Sequence, residues 1–195
     1  MLVREPTGKR VDPRVRRTRA LILRAFEELV AEKGHAGLTV QEIAGRATIN
    51  RATFYAHFRD QYELFDHYVS ESFRRELRRR LPESPGLKEE TLRALIVAAC
   101  EYLAGLETAC RRTDRRFRPL IEARVQGELY EVLLGWIGEL PPERRPADPE
   151  ITASVVSWAI FGAGLRWSRG GAGLPVEEFA RRTLSAIVEG IGELL

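Results

Sequence analysis

Only two cysteines, three histidines and one methionine occur in the 195 residues. Cys100 and Cys110 fall on what reads as one helix, where ten residues separate them by roughly 15 Å, so they cannot form a disulfide with each other. They are expected to be buried thiols, with redox sensing as the alternative. His35, His57 and His67 show no metal-ligand spacing, and the chain is assigned neither a metal nor a cofactor. Runs of about 20 apolar residues are missing, which excludes a membrane-spanning helix, and the first residues lack the apolar core of a signal peptide; a cytoplasmic protein is expected. Also missing are a phosphate-binding glycine loop and a nucleophile beside a base, so no enzyme is expected. The glycine cluster RGGAG at 169–173 follows a helical stretch and reads as a helix stop and turn.

What is present is ordinary in amount and uneven in placement. At 44% hydrophobic and 30% charged residues, the composition is that of a globular chain able to bury a large core. The net charge of +3 divides unequally: residues 1–60 hold 12 Lys+Arg against 7 Asp+Glu, and residues 61–195 hold 19 against 21. Positive charge at one end suits a polyanion. Arg4, Lys9, Arg10, Arg14, Arg16, Arg17 and Arg19 form a basic arm that either follows a nucleic-acid backbone or serves as a solubilising tail.

The periodicity is helical throughout, and an all-α fold is expected. Asp12-Pro13 opens a first helix with an apolar side of Leu21, Ile22, Ala25, Phe26, Leu29 and Val30, which Gly34 stops. The segment 38–64 then writes two short capped helices around a tight turn. Thr39 with Glu42 makes a capping box, with Leu38 spaced to staple onto Ile43. Asn50 caps the next helix, and Ile49 is spaced to pack on Phe54. On that helix Phe54 and Phe58 mark the buried side and leave Arg51, Ala52, Tyr55 and Ala56 outward. This is the pattern of a helix-turn-helix, whose second helix enters the major groove by its N-terminal residues.

That geometry assigns Asn50, Arg51, Ala52 and Thr53 to base edges. Arg51 suits a guanine, Thr53 a base or phosphate, and Ala52 apolar contact with a thymine methyl. Tyr55 and His57 are placed for phosphate oxygens, and the helix start at Thr39 offers backbone N–H groups to another.

Leu38, Thr39, Ile43, Ala44, Phe54, Tyr55, His57, Phe58 and Leu64, with Glu32-Lys33-Gly34, resemble the DNA-binding domain of TetR/AcrR-type transcriptional regulators in order and spacing over about residues 14–70. Two positions depart from that pattern. Thr48 occupies the turn position that is usually glycine, and Gln61 stands where the family usually has a phosphate-contacting lysine. The resemblance implies a three-helix DNA-binding domain followed by a helical bundle for effector binding and dimerisation. The boundaries expected are an arm over 1–12, the helix-turn-helix domain over 13–60 and the bundle over 61–195.

Within the second part, Asp60 with Glu63 caps a fourth helix to about Leu81, whose Arg74, Arg75, Arg78, Arg79 and Arg80 read as a solvated face. Further helices are expected at about 87–110 and 117–140, with linkers at 82–86 and 141–150. Ile151, Val155, Trp158, Gly162 and Leu165 recur at bundle spacing on one helix, and Ala180, Leu184, Ile187, Ile191 and Leu194 on the last. Helices 149–169 and 175–195 are therefore assigned to a homodimer interface, the alternative being that both serve the chain's own core. Trp136, Trp158, Trp167, Tyr102, Tyr130, Phe117 and Phe161 either line an effector pocket or are plain core.

Together these readings describe a ligand-responsive homodimeric repressor of palindromic double-stranded operator DNA, with a small apolar effector. The competing reading gives the bundle a protein partner.

Overall fold

A computed structural model describes residues 12–34, 37–83, 85–110, 118–170 and 173–189. Phe117, Ile191, Leu194, His35, the arm before Asp12 and the side chain of Cys110 lie outside the described residues. All regular structure among the described residues is helical: α1 Pro13–Lys33, α2 Val40–Arg46, α3 Arg51–Tyr55, α4 Gln61–Arg80, α5 Glu89–Cys110, α6 Arg118–Gly138, α7 Pro149–Ser168 and α8 Val176–Glu189. None of these helices is long and apolar enough to cross a membrane.

Local chemistry sets most helix ends. Asp12 accepts from the Arg14 N–H ahead of Pro13, and Gly34, at φ 77°, closes α1 by donating its N–H to the Val30 carbonyl. Asp60 accepts from the Glu63 N–H at 2.8 Å and Asp148 from the Ile151 N–H at 3.0 Å, opening α4 and α7. Beyond α6, Arg145 donates to the carbonyls of Gly138 and Leu140, satisfying acceptors that a helix end leaves over.

One apolar cluster runs through the molecule. Ile22, Phe26 and Leu29 of α1 meet Ile43, Phe54, Phe58, Leu64 and Phe65 at the N-terminal end, while Val69, Phe73 and Leu77 carry α4 on into the bundle of α5, α6 and α7. Phe26 makes T-shaped contacts with Phe65 and Tyr68, with centroids 6.2 and 5.4 Å away. α4 is thus shared between the two ends of the fold. Gly164 lets α7 approach α5: a Cβ there would stand 3.1 Å from Leu103 and 3.5 Å from the backbone of Ala99 and Cys100.

Several expectations change at this level. Arg14, Arg16, Arg17 and Arg19, read as part of a basic arm, belong to α1. The arginines of α4 are not simply a solvated face, because carboxylates on other helices lie within their reach. Arg74 Nε donates to Glu128 of α6 at 2.7 Å, Arg75 pairs with Glu27 of α1 at 3.1 Å, and Arg80 is bound by Glu76 and by Glu101 of α5. Trp158 does not join an internal pocket, being 57% exposed with its ring edge-on to Phe161; Trp136 and Phe161 are buried.

The two bundle-spaced stripes also part company. Ile151, Val155, Trp158 and Gly162 face outward along α7, with Ile151 and Val155 more than 60% exposed, while Leu165 packs on the core. On α8, Ala180 and Leu184 are buried and Ile187 packs against the core, because that side of the helix lies on α5 and α7. The outward side of α8 instead carries Arg181, Arg182, Ala186 and Val188.

Candidate nucleic-acid interface

The helix-turn-helix is held by its own hydrogen bonds. Thr39 Oγ1 accepts from the Glu42 N–H, and the Glu42 carboxylate accepts in turn from the Thr39 N–H at 2.9 Å and from its hydroxyl at 2.9 Å. The Thr39 and Glu42 amides are thereby used, which leaves those of Val40 and Gln41 as the first-turn donors of α2. Lys33 also binds the Glu42 carboxylate; that contact, then the two Thr39 bonds, holds the Glu42 carboxyl down at about 2. At the other end of α2, Arg46 makes two parallel 2.7 Å bonds to Glu32 of α1, which lower the Glu32 pKa. Both ends of α2 are therefore tied to α1.

The turn into α3 closes the helix by a Schellman pattern. The Ile49 N–H reaches the Ala44 carbonyl at 3.0 Å and the Thr48 N–H reaches Gly45 at 3.1 Å, which puts Thr48 at φ 55°. Thr48 is the one non-glycine residue at positive φ among the described residues. The missing glycine noted in the sequence is thus met by a β-branched residue in the left-handed region.

α3 begins with the Asn50 Oδ1 accepting from the Thr53 N–H at 2.7 Å. It is shorter than the sequence pattern suggested, ending at Tyr55. Phe58 lies beyond it, yet still donates its N–H to the Phe54 carbonyl at 3.0 Å and is buried, so the apolar anchor survives without the full helix. Arg51, Ala52, Tyr55 and Ala56 are exposed, and Thr53 and His57 are half-buried.

Four of the eight residues assigned to DNA come together around one open groove of about 400 Å³. Thr39, Arg51, Tyr55 and Gln61 line it with Gly37, Leu38, Val40 and Gln41, so the start of α2, the outer face of α3 and the start of α4 converge. Asn50, Ala52, Thr53 and His57 are not in that lining. The amides of Val40 and Gln41, the Arg51 guanidinium, the Tyr55 hydroxyl and the Gln61 amide bring hydrogen-bond donors to the same concavity, a combination suited to a phosphate oxygen.

Sequence reasoning missed one feature of this end. The Arg19 guanidinium lies 4.8 Å from the centroid of the Phe58 ring, and its buried Nε has no hydrogen-bond partner. His67 packs against the same Phe58 ring, with centroids 6.0 Å apart; burial first, and then the Arg19 charge, lowers its pKa. The helical spacing marks Phe58 only as buried, and no local pattern links it to a residue 39 positions earlier.

The model of the bacterial regulatory proteins of the tetR family matches residues 22–68. The helix-turn-helix-type transcriptional regulator YxbF of Bacillus subtilis is 40% identical over 65 residues, 33% of this chain, and the matched stretch spans only 17% of that protein's length. Among solved structures, a TetR-family transcriptional regulator from Pectobacterium atrosepticum superposes with a TM-score of 0.57 at 21% identity, covering 95% of this chain and 96% of its own. A second from Mesorhizobium loti gives 0.57 at 18% identity, with 91% and 98% covered. At such identities these structures establish the fold alone. Residues 22–68 therefore match the tetR family of bacterial regulatory proteins, and the chain shares an all-helical fold with these solved structures over most of its length.

Proposed function

We propose that the protein is a homodimeric transcriptional repressor that binds a palindromic operator through α3 and releases it when a small, largely apolar effector enters the helical bundle. The groove shared by α2, α3 and α4 carries this reading, because it gathers phosphate-binding groups beside an exposed helix face small enough for a major groove. On this reading Arg51, Ala52, Thr53 and the Asn50 amide face base edges, while Tyr55, His57, Gln61 and the α2 start beginning at Thr39 hold phosphates. The outward stripe Ile151, Val155, Trp158 and Gly162 on α7 supports pairing of two copies, since a contiguous apolar stripe on a surface helix favours association. A two-fold dimer then places its recognition helices about one duplex turn, roughly 34 Å, apart.

Effector control follows by population shift. A ligand preferring a conformation with α4 displaced by 100-fold supplies about 2.7 kcal/mol against DNA binding, and operator DNA weakens the ligand by the same factor. Such a protein works in the cytoplasm, where the genome is.

Selection from random duplexes tests the assignment. The unmodified protein is expected to enrich an inverted repeat. Arg51→Ala should relax preference at one base position by about 1–3 kcal/mol, and Tyr55→Phe should weaken all sequences alike. Failure to enrich any sequence, or unchanged binding by both variants, refutes the proposal.

A further inference from the structure

α4 meets α6 through charged and polar groups as well as apolar ones. Glu128, only 3% exposed, sits in the apolar stripe of α6 between Val125 and Leu129. Its carboxylate accepts from Ser70 Oγ at 2.6 Å and from Arg74 Nε at 2.7 Å. One turn earlier on both helices, Arg124 grips Asp66 through both oxygens, its Nε at 2.7 Å. Asp66, Ser70 and Arg74 are successive i, i+4 positions on α4 and face Arg124 and Glu128, themselves i, i+4 on α6.

Such spacing tolerates only one register. Apolar packing is non-directional, so Val69, Phe73 and Leu77 by themselves favour burial more than a particular axial position. A slip of α4 by one turn in one direction sets Asp66 against Glu128, two carboxylates with one of them buried. A slip the other way leaves Asp66 and Arg124 apart and takes Ser70 from Glu128. The first slip strands a buried charge, which is far more costly than any exposed ion pair is worth; the second costs less, since the Arg124 and Asp66 side chains are 37% and 32% exposed, but it gives up their two-oxygen contact and the Ser70 bond.

Because α4 begins at Gln61, in the lining of the groove, its register sets where the recognition segment stands relative to the bundle. We propose that Asp66, Ser70, Arg74, Arg124 and Glu128 form a register lock on α4 and act as positioning residues that hold the recognition segment in place for DNA binding. This rests on the DNA-binding reading above.

The discriminating variant is the triple Ser70→Ala, Arg74→Met, Glu128→Met in the full chain. Replacing a buried ion pair by apolar groups of similar size commonly preserves stability, so a purely structural network predicts normal melting and normal binding. A lock predicts near-normal melting with operator affinity lowered at least 10-fold. It also predicts that spin labels at Ala56→Cys and Glu143→Cys, with Cys110 replaced by serine and labelled chains diluted in unlabelled protein, change from one narrow distance distribution to a broad one. Should the triple variant fail to fold, Arg74→Ala, which alters a side chain that reaches the surface, is expected to weaken binding and broaden the distribution, with Arg74→Lys restoring most of both. Affinity within twofold of the unmodified protein and an unchanged distribution, in whichever variant folds, overturn the lock. If the unmodified protein selects no duplex, it is the DNA-binding reading that falls, and the label distances still decide the lock.

Discussion

Thr48 offers the sharpest test of the reasoning that leads from this sequence to this turn. Its φ of 55° lies where a side chain with a branched Cβ crowds the backbone, and both Schellman hydrogen bonds depend on the residue staying there. Relief of the left-handed conformation is worth roughly 1–2 kcal/mol per non-glycine residue. Glycine gives back about 0.5–1 kcal/mol through the greater freedom of its unfolded chain. Thr48→Gly is therefore expected to stabilise the protein by about 0.5–1 kcal/mol, which for a chain of this size raises the Tm by roughly 1–4 °C. Thr48→Asn should fall between the two, since asparagine visits the left-handed region more readily than a β-branched residue. Thr48→Val keeps the branch and should show no gain. The turn's φ is unchanged by glycine, so operator affinity should stay within about twofold. Thermal unfolding of the four proteins side by side decides the matter: a lower Tm for the glycine variant, or an equal gain from valine, refutes the assignment of strain to this position.

Other outcomes follow from packing and protonation. Gly164→Leu should destabilise the chain by about 1–3 kcal/mol, because Leu103 and the α5 backbone leave no room, whereas Gly162→Leu meets open space and should keep the Tm while weakening self-association in analytical ultracentrifugation. Burial pushes the Cys100 thiol up to about 12, so alkylation at pH 8 followed by peptide mapping should leave it unmodified until the protein is unfolded. The Glu42 carboxyl is depressed from 4.5 to about 2 by Lys33 and Thr39, so its contribution is complete above pH 4.5 and fades as pH falls towards 2; carboxyl NMR should show this midpoint, and Thr39→Ala should raise it.

The caps and the binary pattern of this chain were decided locally. Asp12, Thr39 with Glu42, Asn50, Asp60 and Asp148 each act on an amide two or three residues away, so their spacing along the chain already contains the geometry that the structure shows. The outward set Arg51, Ala52 and Tyr55 was legible for the same reason, since helical period and the position of Phe54 fix which side is buried. The missing glycine at Thr48 was visible too, although only the structure shows that Thr48 itself takes the left-handed conformation.

What the sequence left open depends on which helix lies against which. A period of 3.5 marks an apolar side but not its partner, so the α7 and α8 stripes looked equivalent; packing buried Ala180 and Leu184 and left Ile151, Val155 and Trp158 outside. The same holds for charge. Arg74 belongs to a run of arginines that resembles a solvated surface until α6 brings Glu128 to it, and Arg19 reads as part of a basic arm until Phe58 arrives beneath it. Burial and long-range pairing are properties of the assembled fold, because a side chain's dielectric surroundings come from residues distant in sequence. The one hint in the chain was Glu128 itself, a carboxylate placed within an apolar stripe, where an ion stays only if another helix supplies its partners.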